Sequence, residues 1–348
     1  MLHAPVAFII FNRPETTEQV FTEIAKVKPT NLFVIADGPR EGQLGEAAKC
    51  AAARAIIERV DWECEVFKNY SDMNLGLARR VATGISWVFE HVEEAIILED
   101  DCVPDPTFFQ FCEELLEKYR DDERIMQIGG EQDLYNKKQI PYSYYFARLP
   151  TCWGWATWHR AWQHYDFEMK LWPELRETSW LENILTDPRG VEFFRNNFER
   201  TYEGAGKADY SWWACQWTFT VFVQSGLVVL PNTNLISNIG FGKEAFHTKN
   251  PNSMYSNIPP AAMKFPLRHP PYMVGDREAD QIRWEQSPPA QKLSKQPSVY
   301  LQLRRRLSAV IPGPLRKLIL SLRRNTTSRV HAWQRFFKVP ARGRFIRR

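Results

Sequence analysis

The sequence predicts an α/β fold, a mostly parallel sheet with helices on both faces, continued by an aromatic-rich half. Three observations lead there. From Val6 to Gly130, short apolar runs alternate with stretches of helical periodicity. The runs are apolar at nearly every position, as strands buried on both faces are. Several stop abruptly on polar residues, and in open α/β sheets ligands bind just beyond the carboxyl ends of strands.

The elements follow in order. Val6-Ala7-Phe8-Ile9-Ile10-Phe11 reads as a central strand ending in Asn12-Arg13-Pro14. Thr16 or Thr17 can cap a helix that places Val20, Phe21 and Ile24 on one face and runs to about Lys28. Leu32 to Ala36 is a second strand, ending in Asp37-Gly38-Pro39, and residues 47–60 read as a helix. Residues 63–67 read as a short strand. Asn74-Leu75-Gly76-Leu77 is a turn that opens the next helix, which carries Arg79 and Arg80. Ala95-Ile96-Ile97-Leu98 then runs into Glu99-Asp100-Asp101, and a helix follows from Pro106 to Tyr119. Ile125 to Ile128 is another strand, closed by Gly129-Gly130. Crossovers in such sheets are almost always right-handed, so the strand ends gather along one edge. Arg13, Asp37, Asn74 and the Glu99–Asp101 triplet would then share one cleft.

Beyond Tyr142 the character changes. Trp153, Trp155, Trp158 and Trp162 crowd one short segment of a chain that holds 13 Trp. Such clusters form cores more often than sugar-facing floors, although aromatic rings serve both. Residues 171–202 read as helical with an interruption at Pro188-Arg189-Gly190. A further helix begins near Lys207 and runs through Phe222, and Leu227 to Leu230 is a strand. Residues 250–300, rich in Pro and Asn, read mostly as loop.

The net charge of +4 hides an asymmetry. Residues 301–348 hold 12 Arg, 2 Lys and no acidic residue, so the other 300 residues sum to −10. Leu315, Leu318, Ile319, Leu322, Trp333, Phe336 and Phe337 are interleaved with those arginines. That pattern favours an amphipathic anchor on an anionic membrane surface over a nucleic-acid tail. The six Cys show no Cys-x-x-Cys pair and no zinc-like spacing, which suits reduced thiols in a cytosolic protein. The start, Met1 to Pro5, has no leader pattern, and no apolar stretch is long enough to span a bilayer. The expected location is the cytoplasm, peripheral on the inner face of the membrane.

Three adjacent carboxylates at a strand end repel one another unless a positive group sits among them. A divalent cation is the natural candidate, because hard cations take oxygen ligands. The same triplet also suits a solvated acidic turn.

With those motifs in view, the chain resembles the GT-A (Rossmann-like) nucleotide-sugar glycosyltransferases. The resemblance rests on Phe8 to Pro14, Ala36-Asp37-Gly38, Asn74 to Arg79, Glu99-Asp100-Asp101 and Trp153-Gly154-Trp155, within about residues 5–250. Within that group it resembles the enzymes that add the first N-acetylglucosamine to the trimmed N-glycan core, and bacterial hemolytic-protein-like sugar transferases. The resemblance implies that Arg13 contacts a nucleotide diphosphate and that Asp37 binds uracil. It implies that Asp101 ligates Mn²⁺ or Mg²⁺, and that Glu99 and Asp100 reach the ribose or the donor sugar. Asp209, ahead of Trp212 and Trp213, matches the catalytic base, although the family carries paired Asp there and this chain has one. His247, after Gly240-Phe241-Gly242, matches a His that a closing loop delivers to the metal or phosphate. Asn74, Arg79 and Trp155 complete the expected donor site. Asp37 also suits a plain turn, Asp209 a plain N-cap, and Arg79 or Arg80 a plain helix surface.

The expected organisation is a nucleotide-sugar-binding half at 1–135 and an acceptor and catalytic half at 136–255. A loop-rich segment at 256–300 and a basic amphipathic tail at 301–348 follow. The implied activity is inverting sugar transfer from a nucleotide sugar, a UDP-sugar, to a hydroxyl of a cell-surface glycan or lipid-linked acceptor. Two alternatives stand beside it. One is a non-catalytic carbohydrate- or membrane-binding protein with a degenerate transferase fold. The other is a sugar-1-phosphate nucleotidyltransferase, which needs a Gly-rich phosphate loop where this chain has Phe11-Asn12-Arg13-Pro14.

Overall fold

The computed structural model describes residues 1–134, 137–205, 212–242 and 256–294. The chain divides into one compact unit, Met1–Ala290, and a second, Gln291–Arg348. The basic tail expected at 301–348 lies outside the described residues.

In chain order the first unit begins β1 (Val6–Ile10), α1 (Pro14–Val27), β2 (Asn31–Ala36), α2 (Glu46–Ile57), β3 (Glu65–Tyr70), α3 (Leu77–Phe89) and β4 (Glu94–Glu99). It continues with β5 (Cys102–Pro104), α4 (Pro106–Lys118), β6 (Ile125–Gly129), β7 (Tyr144–Ala147), β8 (Trp155–Trp158), α5 (His159–Trp162) and α6 (Trp172–Leu175). A 3₁₀ turn at Trp180–Asn183 leads to α7 (Pro188–Gly204), α8 (Trp213–Val223), β9 (Leu227–Pro231), β10 (Ile236–Asn238) and α9 (Arg277–Gln286), and α10 (Pro288–Ser294) runs on past Ala290.

Eight strands form one sheet in the order β3-β2-β1-β4-β8-β6-β9-β7. The pairs β3–β2, β2–β1, β1–β4 and β6–β9 are parallel. The pairs β4–β8, β8–β6 and β9–β7 are antiparallel. The sheet is therefore mixed, which corrects the expected mostly parallel arrangement. The physical reason is that β7 and β8 enter from loops rather than from crossover helices, and strands joined that way can reverse direction. A small second sheet pairs β5 with β10.

Helices cover both faces, as expected. On one face α1, α2 and α4 pack Val20, Phe21, Ile24, Ile57, Phe108 and Leu115 onto Val6, Phe8, Val34 and Leu98. On the other, α3 and α8 pack Val81, Ile85, Val88, Trp217 and Val221 onto Ala7, Ile9, Ile35 and Ile97. Alternate residues of each strand thus serve opposite cores, so both faces must be apolar.

Local chemistry sets the helix starts. Asp105 caps α4 by accepting from Thr107 N at 2.9 Å, with Pro106 at the first helical position. Asp187 caps α7 in the same way, so Pro188 begins a helix rather than interrupting one. The stretch expected to be helical from 171 is accordingly broken into α6, the 3₁₀ turn and α7. The segment read as loop at 250–300 contains α9, whose Asp276 accepts from Ala279 N at 3.0 Å. Among the described residues no helix is long and apolar enough to cross a membrane.

Candidate active site at the carboxyl edge of the sheet

The chain leaves β1 for β2 and β3 on one side and returns to pair β4 on the other, which makes the β1–β4 junction a topological switch point. Both strands stop there. Phe11, Asn12 and Arg13 follow β1, and Pro14 starts α1 at once. Asp100 and Asp101 follow β4. Arg13 forks between them: its Nη1 donates to Asp101 Oδ2 at 2.8 Å and its Nη2 to Asp100 Oδ1. Asp100 also accepts from the Phe11 N–H at 3.3 Å. The positive group among the carboxylates is therefore a side chain of this chain.

The electrostatics follow from that crowding. Burial, with Asp101 and Asp100 beside it, pushes Glu99 up to about 8, and Arg13 opposes the shift. Burial raises Asp100 to about 6, again against the pull of Arg13. Burial also works against the charge on Arg13, but Asp100 and Asp101 outweigh it and hold the guanidinium above its ordinary range. The Glu99 carboxylate accepts no hydrogen bond among the described residues.

Gly240 closes over this cluster. A Cβ there would lie 1.9 Å from Asp101 Oδ2, so only glycine fits. Ile239 N donates to Asp101 O at 2.9 Å, and the Cys102 thiol lies 3.4 Å from Asp101 Oδ1. The glycine's role was not legible in the sequence, because it depends on β10 pairing with β5.

Asp37, after β2, is a buried anchor. Its carboxylate accepts from Gly38 N at 3.0 Å, Leu75 N at 2.9 Å, Gly76 N at 3.1 Å and Asn74 Nδ2 at 3.0 Å. Asn74 Nδ2 also donates to Gly38 O at 2.8 Å. These bonds tie the turn before α3 to the end of β2, and Gly76 adopts φ 80° to enter the helix. Burial raises the Asp37 carboxyl, while the Leu75 and Gly38 N–H groups lower it. Beside it Glu46 binds Arg40 and accepts from Asn12 Nδ2 at 2.8 Å, pinning the 38–45 loop to the end of β1.

The other expected residues separate. Arg79 is exposed and makes no ion pair among the described residues, whereas buried Arg80 donates to Asn69 O and Oδ1. Trp155 is a core residue. It is 1% exposed on β8, stacked on Trp213 and tilted against Trp162 and Trp217. This corrects the expectation that Trp155 floors the donor site: β8 lies inside the sheet, so its side chains are covered. The neighbouring half-buried Trp153 instead meets Phe241 edge to face. Asp209 and His247 lie outside the described residues.

Glu131 was missed, although it follows the strand-end rule that found the others. It succeeds β6 and accepts from Trp153 N at 3.2 Å. Burial, helped by Asp133, raises it to about 7. Cys152 feels Glu131, Glu99 and Asp101 together, so these carboxylates act on one neighbourhood.

No group of three or more His, Cys, Asp or Glu among the described residues could hold a metal. A closed protein cage does not fit. An open site does, because Mg²⁺-type ions are commonly held by one or two carboxylates, with waters and substrate phosphates completing the shell. Asp101 and Glu99 could supply that much. No family model and no curated protein matches this chain.

Proposed function

We propose that this chain is a metal-dependent glycosyltransferase that uses a nucleotide sugar, a UDP-sugar, with a GT-A type of nucleotide-sugar fold. One observation carries the reading: Arg13 and the Glu99–Asp101 carboxylates meet at the switch point between β1 and β4, with the Asp37–Asn74 turn at the next strand end. A guanidinium fork suits diphosphate oxygens. Asp37 fixes the Asn74–Gly76 turn, which shapes the nucleotide side of the cleft. Asp101 would hold Mn²⁺ or Mg²⁺. Such an ion, when bound, neutralises charge developing on a leaving nucleoside diphosphate. Glu99 and Asp100 orient the donor. Asp209 serves as general base, taking the proton from an acceptor hydroxyl as that oxygen attacks the anomeric carbon with inversion. The acceptor is a cell-surface glycan or a lipid-linked sugar, reached at the inner membrane face through the basic tail. Loss of vesicle binding on removal of 301–348 would support that last element, and unchanged binding would refute it.

The reading is tested by thermal shift with UDP, with and without Mn²⁺. Wild type should gain stability from UDP only with the ion, and Asp101→Asn should lose that gain while keeping its fold. An equal gain in the variant would refute the assignment of Asp101. UDP release from a UDP-sugar in the presence of Mn²⁺ separates a transferase from a non-catalytic binding protein.

A further inference from the structure

The group that neutralises the carboxylates is also the group best suited to grip a diphosphate. Arg13 reaches from the end of β1, with its side chain 25% exposed, and engages Asp101 at 15% and Asp100 at 4%. Asp100 is held from a second side by the Phe11 N–H, whereas Asp101 is the outer and more accessible of the two. Of the other arginines near this edge, exposed Arg79 makes no ion pair among the described residues, and three are committed. Arg40 is paired with Glu46, Arg54 donates to Asp37 O and Ser71 O, and Arg80 donates to Asn69.

One cluster cannot serve all of these demands at once. A guanidinium bound to Asp101 Oδ2 donates into the oxygen that a divalent cation would use, and two cations at such close range repel each other. We propose that Arg13 is a built-in counter-ion that holds the divalent site closed until a nucleoside diphosphate arrives, so that the cation and the diphosphate bind as a coupled pair. The proposal rests on the transferase reading.

The exchange needs only one side chain to move. A diphosphate offers the fork two oxygens in the geometry that a carboxylate offers. Arg13 shifts from Asp101 to the phosphate, Asp100 keeps its Phe11 N–H, and the Asp101 oxygen is freed, where it would hold the cation. Gly240 packs against Asp101 and keeps the carboxylate in place while its partner changes. Coupling of this kind is reciprocal: if the diphosphate tightens the cation, the cation tightens the diphosphate by the same factor.

Calorimetric titration of the full chain with Mn²⁺, alone and in saturating UDP, tests this in wild type, Arg13→Gln and Arg13→Lys. Wild type should bind Mn²⁺ at least about tenfold more tightly with UDP than without, within the usual range of coupling. Arg13→Gln should bind Mn²⁺ alone about tenfold more tightly than wild type, bind UDP more weakly, and lose most of the coupling. Arg13→Lys keeps the charge without the fork and should fall between them, which also serves if the glutamine variant folds poorly. Equal Mn²⁺ affinity in wild type with and without UDP would overturn the proposal without any variant. Unchanged Mn²⁺-only affinity in both variants would leave Arg13 as a phosphate ligand and nothing more, which also overturns it. Unchanged UDP affinity in both would leave it as a fixed counter-ion, with the same consequence. No Mn²⁺ uptake by wild type under either condition would bring down the transferase reading itself, and the exchange with it.

Discussion

In the β3-β2-β1-β4 half of the sheet every strand runs the same way, and the polar residues that follow β1, β2 and β4 emerge along one edge. In the β8-β6-β9-β7 half, β8 and β7 run against β6 and β9. There the same edge receives the start of β8, with Trp153 and Gly154 ahead of it, and of the strand ends it receives only those of β6 and β9. The first half places its charged residues at this edge. The second puts its tryptophans into packing and adds the half-buried carboxylate Glu131. A residue's nearness to the edge is thus decided by strand direction as much as by residue type.

The largest effect that would break this comparison is on the aromatic side. Trp155→Ala should lower stability by about 3–5 kcal/mol, because it empties a stack that Trp162, Trp213 and Trp217 surround. Chemical denaturation reads this directly. A loss under about 1 kcal/mol would mean that the ring is not core.

A smaller effect belongs to the parallel half. Asp37→Ala removes the acceptor for three backbone N–H groups and the Asn74 amide, and should cost about 2 kcal/mol or more. Hydrogen exchange should rise first at Leu75 and Gly76. Unchanged protection there would show that the turn stands without its anchor.

The smallest effect sharpens the contribution of the mixed half. Burial holds Glu131 near 7 in the folded chain against an ordinary 4.5. The folded state therefore binds this proton more tightly than the unfolded state. Its contribution to stability is fully present below about 4.5 and is lost as pH rises through about 7. Glu131→Gln stays neutral throughout, so wild type should lose stability relative to the variant across that window. Because Glu99 and Asp100 are raised as well, the difference between the two pH–stability curves is the quantity to measure. A flat difference would mean that Glu131 is not buried as a charge.

The strand-end residues of the parallel half were legible because continuous apolar runs and abrupt polar stops are local signals. Arg13, Asp37, Asn74 and the carboxylate triplet lie at strand ends or in the turn beside them, as the alternation predicted. Strand β3 was displaced by a few residues, since its partly exposed sequence gives a weaker signal than a fully buried run. The mixed half was much less legible. Periodicity over four residues cannot tell β7 or β8 from an aromatic loop, and it carries no information on direction.

What the sequence determined by itself is the α/β alternation, the two apolar faces of the central strands and the placement of charge where β1, β2 and β4 end. These follow from side-chain period and from turn chemistry, both of which act within a few residues. Only the tertiary structure decided that Arg13 neutralises Asp100 and Asp101, that Gly240 packs on Asp101 and that Trp155 is core. Each of these depends on which strands become neighbours and which way they run. That is settled by burying both faces of an eight-stranded sheet at once, and no short window of sequence contains it.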